Sequence, residues 1–227
     1  MNQLQRHFSV TAIITPSPNK RIVRSLGFLV LSLLLHGCAL FQPPSPPPPP
    51  AGTQIHWLDH LRSLTLLQEW QLKGKIGVRT QHDGGSAYLD WNQSIDSFYI
   101  VLSGPLGQGT TIVSGNTTGA RLEQADGIYI AESPDQLVLD HTGWAIPIAN
   151  LLYWVKGMPA PGNPPSLTHN ALGTLATLQQ DGWQLDYDQY SPELGTLLPH
   201  KIRIRKDDLK VTLIIKQWLP LSEEFAG

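Results

Sequence analysis

Several groups of residues in this 227-residue chain have the types and spacings that chemistry uses. His56 and His60 stand four apart, which on a helix puts both imidazoles on one face and could hold zinc if a third ligand came near. Six histidines beyond residue 37 make such a pair common by chance, so a solvated helix face is the favoured reading. Ser133, Asp140 and His141 have the types of a nucleophile triad, but no Gly-x-Ser-x-Gly elbow occurs. Asp186 and Asp188 share a strand face opposite Trp183, Leu185 and Tyr187, which fits a solvent side better than a carboxylate pair for acid–base work. The glycines of Gly104 to Gly109 have the spacing of a phosphate loop. Thr110 stands where lysine is required, and no parallel sheet is expected, so the match fails. The residues thus offer little chemistry: no cofactor motif or firm metal site stands out, and a hydrolase acting at the envelope would need a nucleophile and base brought together by the fold.

Two surface features remain. Lys201, Arg203 and Arg205 alternate with Ile202 and Ile204 and line one strand face with cations. Together with Lys73 and Lys75 they form either a solvated sheet face or a basic surface for lipid head groups or an acidic protein. The second feature is Leu106, at the tip of Gly104-Pro105-Leu106-Gly107-Gln108-Gly109. Proline and glycine favour turns, so this connection should project. A leucine there is commonly ordinary surface. The sharper reading is that it touches something apolar outside the protein.

The elements that position these residues read from hydrophobic period. A helix is predicted from Thr53, a capping residue, to Gln68, with Ile55, Leu58, Leu61 and Leu64 at intervals of three. From Trp70 the period becomes two, with Leu72, Ile76 and Val78 inward, then Leu89 and Trp91, then Phe98, Ile100 and Leu102, then Val113. Short strands around Leu122 and Ile128 complete six, joined by hairpin signals into an antiparallel meander. Ser133-Pro134-Asp135 starts a helix that stops at Gly143, and Pro147 starts another in which Ile148, Leu151, Leu152 and Val155 form one stripe alongside Trp154. Met158 to Pro165 reads as a loop, strands resume over Leu172 to Gln180 and through Tyr187, and a final hairpin pairs His200 to Lys206 with Leu209 to Trp218. The fold class is mainly β with helices (α+β): an incomplete antiparallel barrel with a helical lid. Such a sheet either fills itself with side chains or leaves a cavity for one ligand.

The front of the chain is different. Residues 1–37 carry four basic and no acidic side chains and end in the apolar run Leu26 to Leu35, too short to span a bilayer and so an export signal. The run stops at Leu35-His36-Gly37-Cys38, which resembles a bacterial lipobox around the only cysteine of the chain. That resemblance implies cleavage before Cys38 and its acylation, although His36 departs from the usual small or aliphatic residue. Ala39 in place of aspartate implies, by likeness to enterobacterial lipoproteins, delivery to the outer membrane. Pro43 to Pro50, seven prolines interrupted by Ser45, make a semi-rigid spacer of about 25 Å. The expected domains are thus a signal peptide (1–37), a lipidated tether (38–52), a folded domain (53–219) and a tail (220–227). Beyond residue 37 the chain holds 12 basic and 18 acidic side chains, and a charge of −6 argues against nucleic acid as a partner.

Taken in order, Trp70-Gln71-Leu72-Lys73-Gly74-Lys75-Ile76, Tyr88-Leu89-Asp90-Trp91, Gly104-Pro105-Leu106-Gly107, the segment Pro147 to Pro159 with Trp154 and Gly157, and the closing strand to Trp218 resemble the LolB family. The resemblance implies a LolA/LolB-like unclosed barrel without enzymatic activity. It also implies an outer-membrane lipid anchor facing the periplasm, and an apolar cavity for the acyl chains of lipoproteins received from a periplasmic LolA-like carrier. Leu72, Ile76, Leu89, Trp91, Ile100, Leu102, Leu151 and Trp154 are the cavity candidates. Leu106, flanked by Pro105 and Gly107, is implied to protrude and serve insertion of cargo into the inner leaflet of the outer membrane, with the protein acting as a monomer. A lipid-anchored binding module for another apolar ligand is the alternative.

Overall fold

The computed structural model of the protein describes residues 55–105, 109–116, 118–222 and 225. The expected signal, Cys38, the proline tether and the capping Thr53 lie outside the described residues.

Helix α1 (Trp57–Leu66) precedes six strands: β1 (Trp70–Arg79), β2 (Gly84–Gln93), β3 (Ser97–Ser103), β4 (Thr110–Asn116), β5 (Gly119–Gln124) and β6 (Gly127–Ala131). Helices α2 (Pro134–Thr142) and α3 (Ile148–Trp154) follow. The chain closes with β7 (Ser166–His169), β8 (Leu175–Gln180), β9 (Trp183–Glu193), β10 (Thr196–Lys206) and β11 (Leu209–Leu219). All eleven strands join in one sheet of order β6-β5-β4-β3-β2-β1-β11-β10-β9-β8-β7. Each neighbouring pair is antiparallel. Two meanders therefore meet at the β1–β11 pair, while β6 and β7 are left as edges, so the sheet is an unclosed barrel.

The helix signals act as expected at α2. Ser133 Oγ accepts the Gln136 N–H, Pro134 opens the first turn, and Gly143 at φ 71° ends it with its N–H on the Leu139 carbonyl. At α1 the cap stands three residues later than the sequence suggests, at His56, with no side-chain cap. The strand expected from Leu172 begins at Leu175, and β7 precedes it unannounced. Asn170 explains the break: its side chain accepts the Leu172 and Thr174 N–H groups and donates to Thr174 Oγ1, which bends the chain into a tight turn between two short strands.

The core lies on the concave side. Trp70 sits at its centre, with the rings of Trp91 and Trp218 each 5.3 Å away, and Trp218 Nε1 donates to the Pro199 carbonyl at 3.1 Å. Leu64, Leu72, Leu185 and Ile202 are fully buried around them. Gly74 stands at the β1–β11 bulge, where a Cβ would run into the Ile214 carbonyl. Lys156 is buried and donates to the Leu64 and Leu67 carbonyls at 3.0 and 2.8 Å, which satisfies the open C-terminus of α1. Burial pulls its pKa down to about 8.

His60 is not on a solvated helix face. It is buried against Trp57, with Nδ1 3.3 Å from Thr196 Oγ1, whereas His56 is exposed. Burial lowers its pKa to about 4. The unfolded chain takes up this proton near pH 6.5, so between there and about 4 the unfolded state binds more protons than the folded one. The domain should therefore lose stability as pH falls through that window, and His60→Gln should flatten the dependence. Thermal unfolding midpoints measured from pH 7 to 4 check both.

Candidate functional site

Beyond the tryptophan cluster the concave side is hollow. A cavity of about 250 Å³ lies between the sheet and helices α2 and α3. Its sheet wall comes from Ile76 and Val78 on β1, Leu89 and Trp91 on β2, Ile100 and Leu102 on β3, Val113 on β4, Leu122 on β5, Ile204 on β10, and Val211 and Leu213 on β11. Its helical wall comes from Val138, Trp144, Ile146, Ile148, Leu151 and Val155. Only Ser86 and Thr111 bring side-chain oxygens. Small residues at the start of β2, Gly85, Ser86 and Ala87, leave the space that larger side chains fill elsewhere. Such a lining offers a ligand apolar contact and almost no directional partner.

Six of the eight expected cavity residues line this space: Ile76, Leu89, Trp91, Ile100, Leu102 and Leu151. Leu72 and Trp154 do not. Leu72 is completely buried in the core, and Trp154 turns away to Gln180 Oε1, 3.0 Å from its Nε1, with its ring 6.0 Å from Trp183. Period alone identifies an inward face but not which part of it is filled. The walls contributed by β11 and by the Trp144 to Ile146 connection were readable as apolar sequence, yet only the β1–β11 pairing and the folding of the connection over the sheet bring them to the cavity.

The two lid helices are held differently. Gln180 is buried and fully used: Oε1 accepts from Trp154 Nε1 and the Ala160 N–H, and Nε2 donates to the Ala160 and Asn163 carbonyls. Asp181 accepts from Asn150 at 3.2 Å and Asn163 at 2.7 Å. The end of α3 needs Gly157 at φ 81°, where a Cβ would stand 2.6 Å from the Tyr190 hydroxyl. Helix α2 packs instead on β4, β5 and β6, and its Asp135 accepts the Ala149 N–H at 3.2 Å. That carboxylate supplies the N-terminal cap that Pro147 cannot give α3.

The other candidates resolve as structure. Ser133 caps α2, while His141 at its far end stacks on Tyr129 with ring centroids 3.9 Å apart. Arg203 pairs with Asp188 at 2.7 Å, and Arg205 with Asp186, so those carboxylates neutralise part of the basic strand face. The β3–β4 loop is pinched at its base by the Gly104 N–H on the Gly109 carbonyl at 3.0 Å, and Pro105 is exposed. Leu106 and Gly107 lie outside the described residues.

The family described as "Outer membrane lipoprotein LolB" matches residues 68–218. The chain is 43% identical over 200 residues to an outer-membrane lipoprotein LolB of Stutzerimonas stutzeri, covering 88% of this chain and 97% of that protein. It is 42% identical to the outer-membrane lipoprotein LolB of Pseudomonas fluorescens, covering 85% and 95% of the two chains. The chain belongs to the LolB family. Among solved structures it is similar to a LolA superfamily protein of Nitrosomonas europaea, at 9% identity and a TM-score of 0.45, covering 75% of this chain and 99% of that one.

As a LolB-family member the chain is an outer-membrane lipoprotein. The matched residues run from before β1 almost to the end of β11, so they take in every cavity wall and both lid helices. Gln180→Leu would leave the Trp154 and Ala160 N–H groups without their acceptor inside the protein, at about 1–3 kcal/mol each. Chemical denaturation should register a loss of about 2–6 kcal/mol, an expectation that a change below about 0.5 kcal/mol would contradict.

Proposed function

We propose that this LolB-family chain receives lipoproteins from a periplasmic, LolA-like carrier, holds their acyl chains in the apolar cavity and inserts them into the inner leaflet of the outer membrane. The cavity itself is the observation that carries this reading: a preformed, almost purely apolar hollow under two helices. Each buried methylene is worth ~0.8 kcal/mol, so a sixteen-carbon chain in water costs on the order of 12 kcal/mol. A shuttle must therefore exchange one apolar contact for another, and without a nucleotide-binding motif the exchange runs downhill from carrier to receptor to bilayer.

At about 250 Å³ the hollow is below the ~300–1,000 Å³ of typical ligand pockets. A full acyl chain thus requires the lid to move outward. Helix α3 is fixed by Gln180 and Asp181, so α2 is the element that gives way. The functional arrangement has residues 1–37 removed, Cys38 acylated and residues 38–52 as a tether for the folded domain at 53–219, with 220–227 as its tail. The receptor acts as a monomer and works by binding and release rather than catalysis. Pro105, Leu106 and Gly107 form the loop that meets the leaflet, Leu106 guiding release. Burying one leucine contributes only ~2 kcal/mol, far less than the lipid anchor, so its role is local.

Two variants test the two halves of this reading. Leu102→Trp places a large ring in the cavity and should weaken uptake of an acylated lipoprotein from the carrier by tenfold or more while the domain stays folded. Uptake at the native level would remove the cavity from the reaction. Leu106→Glu should leave carrier-to-receptor transfer measurable and block delivery into liposomes, and unimpaired delivery would deny the loop its part. A free fatty-acid probe that binds the domain while no lipoprotein is handed over from the carrier would favour a receptor for some other apolar ligand.

A further inference from the structure

The basic residues of the domain are segregated. Nine of the twelve beyond residue 37 lie on three adjacent strands, β1, β11 and β10, and these strands contain no acidic residue. Neighbouring strands supply carboxylates to only some of them: Asp90 on β2 to Lys73 at 3.4 Å, and Asp186 and Asp188 on β9 to Arg203 and Arg205. Lys75, Arg79, Lys201, Lys210 and Lys216 make no ion pair among the described residues.

The register makes this arrangement costly. Arg205 stands opposite Lys210, and Lys210 opposite Arg79, so three cations lie side by side across β10, β11 and β1 on the convex face. Like charges directly opposite one another destabilise a sheet, and a chain with net charge −6 beyond residue 37 has acidic residues to spare for neutralising them. Apolar groups stand among the cations. Tyr88 and Ile214 are exposed to 51% and 43%, and Lys75 sits 4.7 Å over the Tyr88 ring. Lys201, Ile214, Lys75, Tyr88 and Ser103 form one continuous cross-strand row, and that row ends at the start of the Gly104 to Gly109 loop.

We propose that this convex face docks on a bilayer surface containing anionic phospholipid. Cations with a tyrosine and an isoleucine among them match a layer of phosphate groups over the first methylenes: the charges gain from the surface potential, and the ring and side chain enter the headgroup level. Because the row ends at Ser103, docking brings that end of β3 to the same surface. The inference rests on the anchored reading only for proximity, since a tether to an acylated Cys38 keeps the face at high effective concentration near the bilayer.

The test uses the mature chain carrying Cys38→Ala, so that the anchor cannot mask the face, in co-sedimentation with vesicles of pure phosphatidylcholine or of phosphatidylcholine with phosphatidylglycerol. Binding should be at least tenfold stronger to the anionic vesicles and should weaken with added salt. Lys75→Gln, Lys210→Gln and Lys216→Gln together should reduce it on the order of a hundredfold, at about fivefold per cation, with no loss of thermal stability. Equal binding to both vesicles, or a triple variant that binds like the native chain, overturns the proposal. So does a face indifferent to vesicles whose triple variant no longer accepts cargo from an acidic carrier, because the partner is then a protein. The vesicle comparison of the Cys38→Ala chain, without further substitutions, decides the matter even if the triple variant fails to fold. The vesicle measurements involve neither cargo nor carrier, so their failure leaves the acyl-chain cavity standing, and failure of uptake by the native chain leaves the docking face standing.

Discussion

The structure depends on a division of labour among its large side chains. Trp70, Trp91 and Trp218 pack with tilted and edge-to-face rings at the join of β1, β2 and β11 and fill one part of the concave side. Because that part is solidly packed, the sheet keeps its curvature without needing anything to fill the rest. The remaining space, floored by small residues at the start of β2, persists as a void under α2 and α3. Voids are costly in protein interiors, since their lining forfeits dispersion contacts.

The lid follows from the same constraint. An empty apolar space must be shielded from water, and its two covering helices are held to the sheet in different ways. Gln180 and Asp181 provide the fixed side through six hydrogen bonds to Asn150, Trp154, Ala160 and Asn163. The α2 side relies on apolar packing against β4, β5 and β6, together with the Asp135 link to α3. Apolar packing is non-directional and re-forms on a new surface as readily as on the old one. Directional hydrogen bonds do not.

Charge is arranged on the opposite side of the sheet from the cavity. The cavity lining holds no ionisable side chain among the described residues, while the convex face of β1, β10 and β11 gathers most of the cations. Strand alternation makes this separation natural: each residue that faces inward places its neighbours outward, so one sheet carries a greasy inner wall and a basic outer one.

Much of this was legible in the residues. The two-residue period of β1 to β5, the Ser133 cap with Gly143, and the Asp126-Gly127 and Asp207-Asp208 turns are local signals, and local physics suffices to read them. The lone cysteine after an apolar run, and the ordered set of motifs from Trp70 to Trp218, likewise point to a lipid-anchored LolB-family barrel from sequence alone. What the tertiary structure decided is which inward residues face a void. Leu72 and Trp154 have the same period and polarity as Leu89 and Leu151, yet the first two are locked in packing and the second two border the cavity. The difference arises from long-range pairing of β1 with β11 and from where Gln180 places α3, neither of which is encoded within a single stretch of chain. The same is true of His60, buried against a residue 136 positions away, and of the cation row, which exists only because three strands distant in sequence lie side by side.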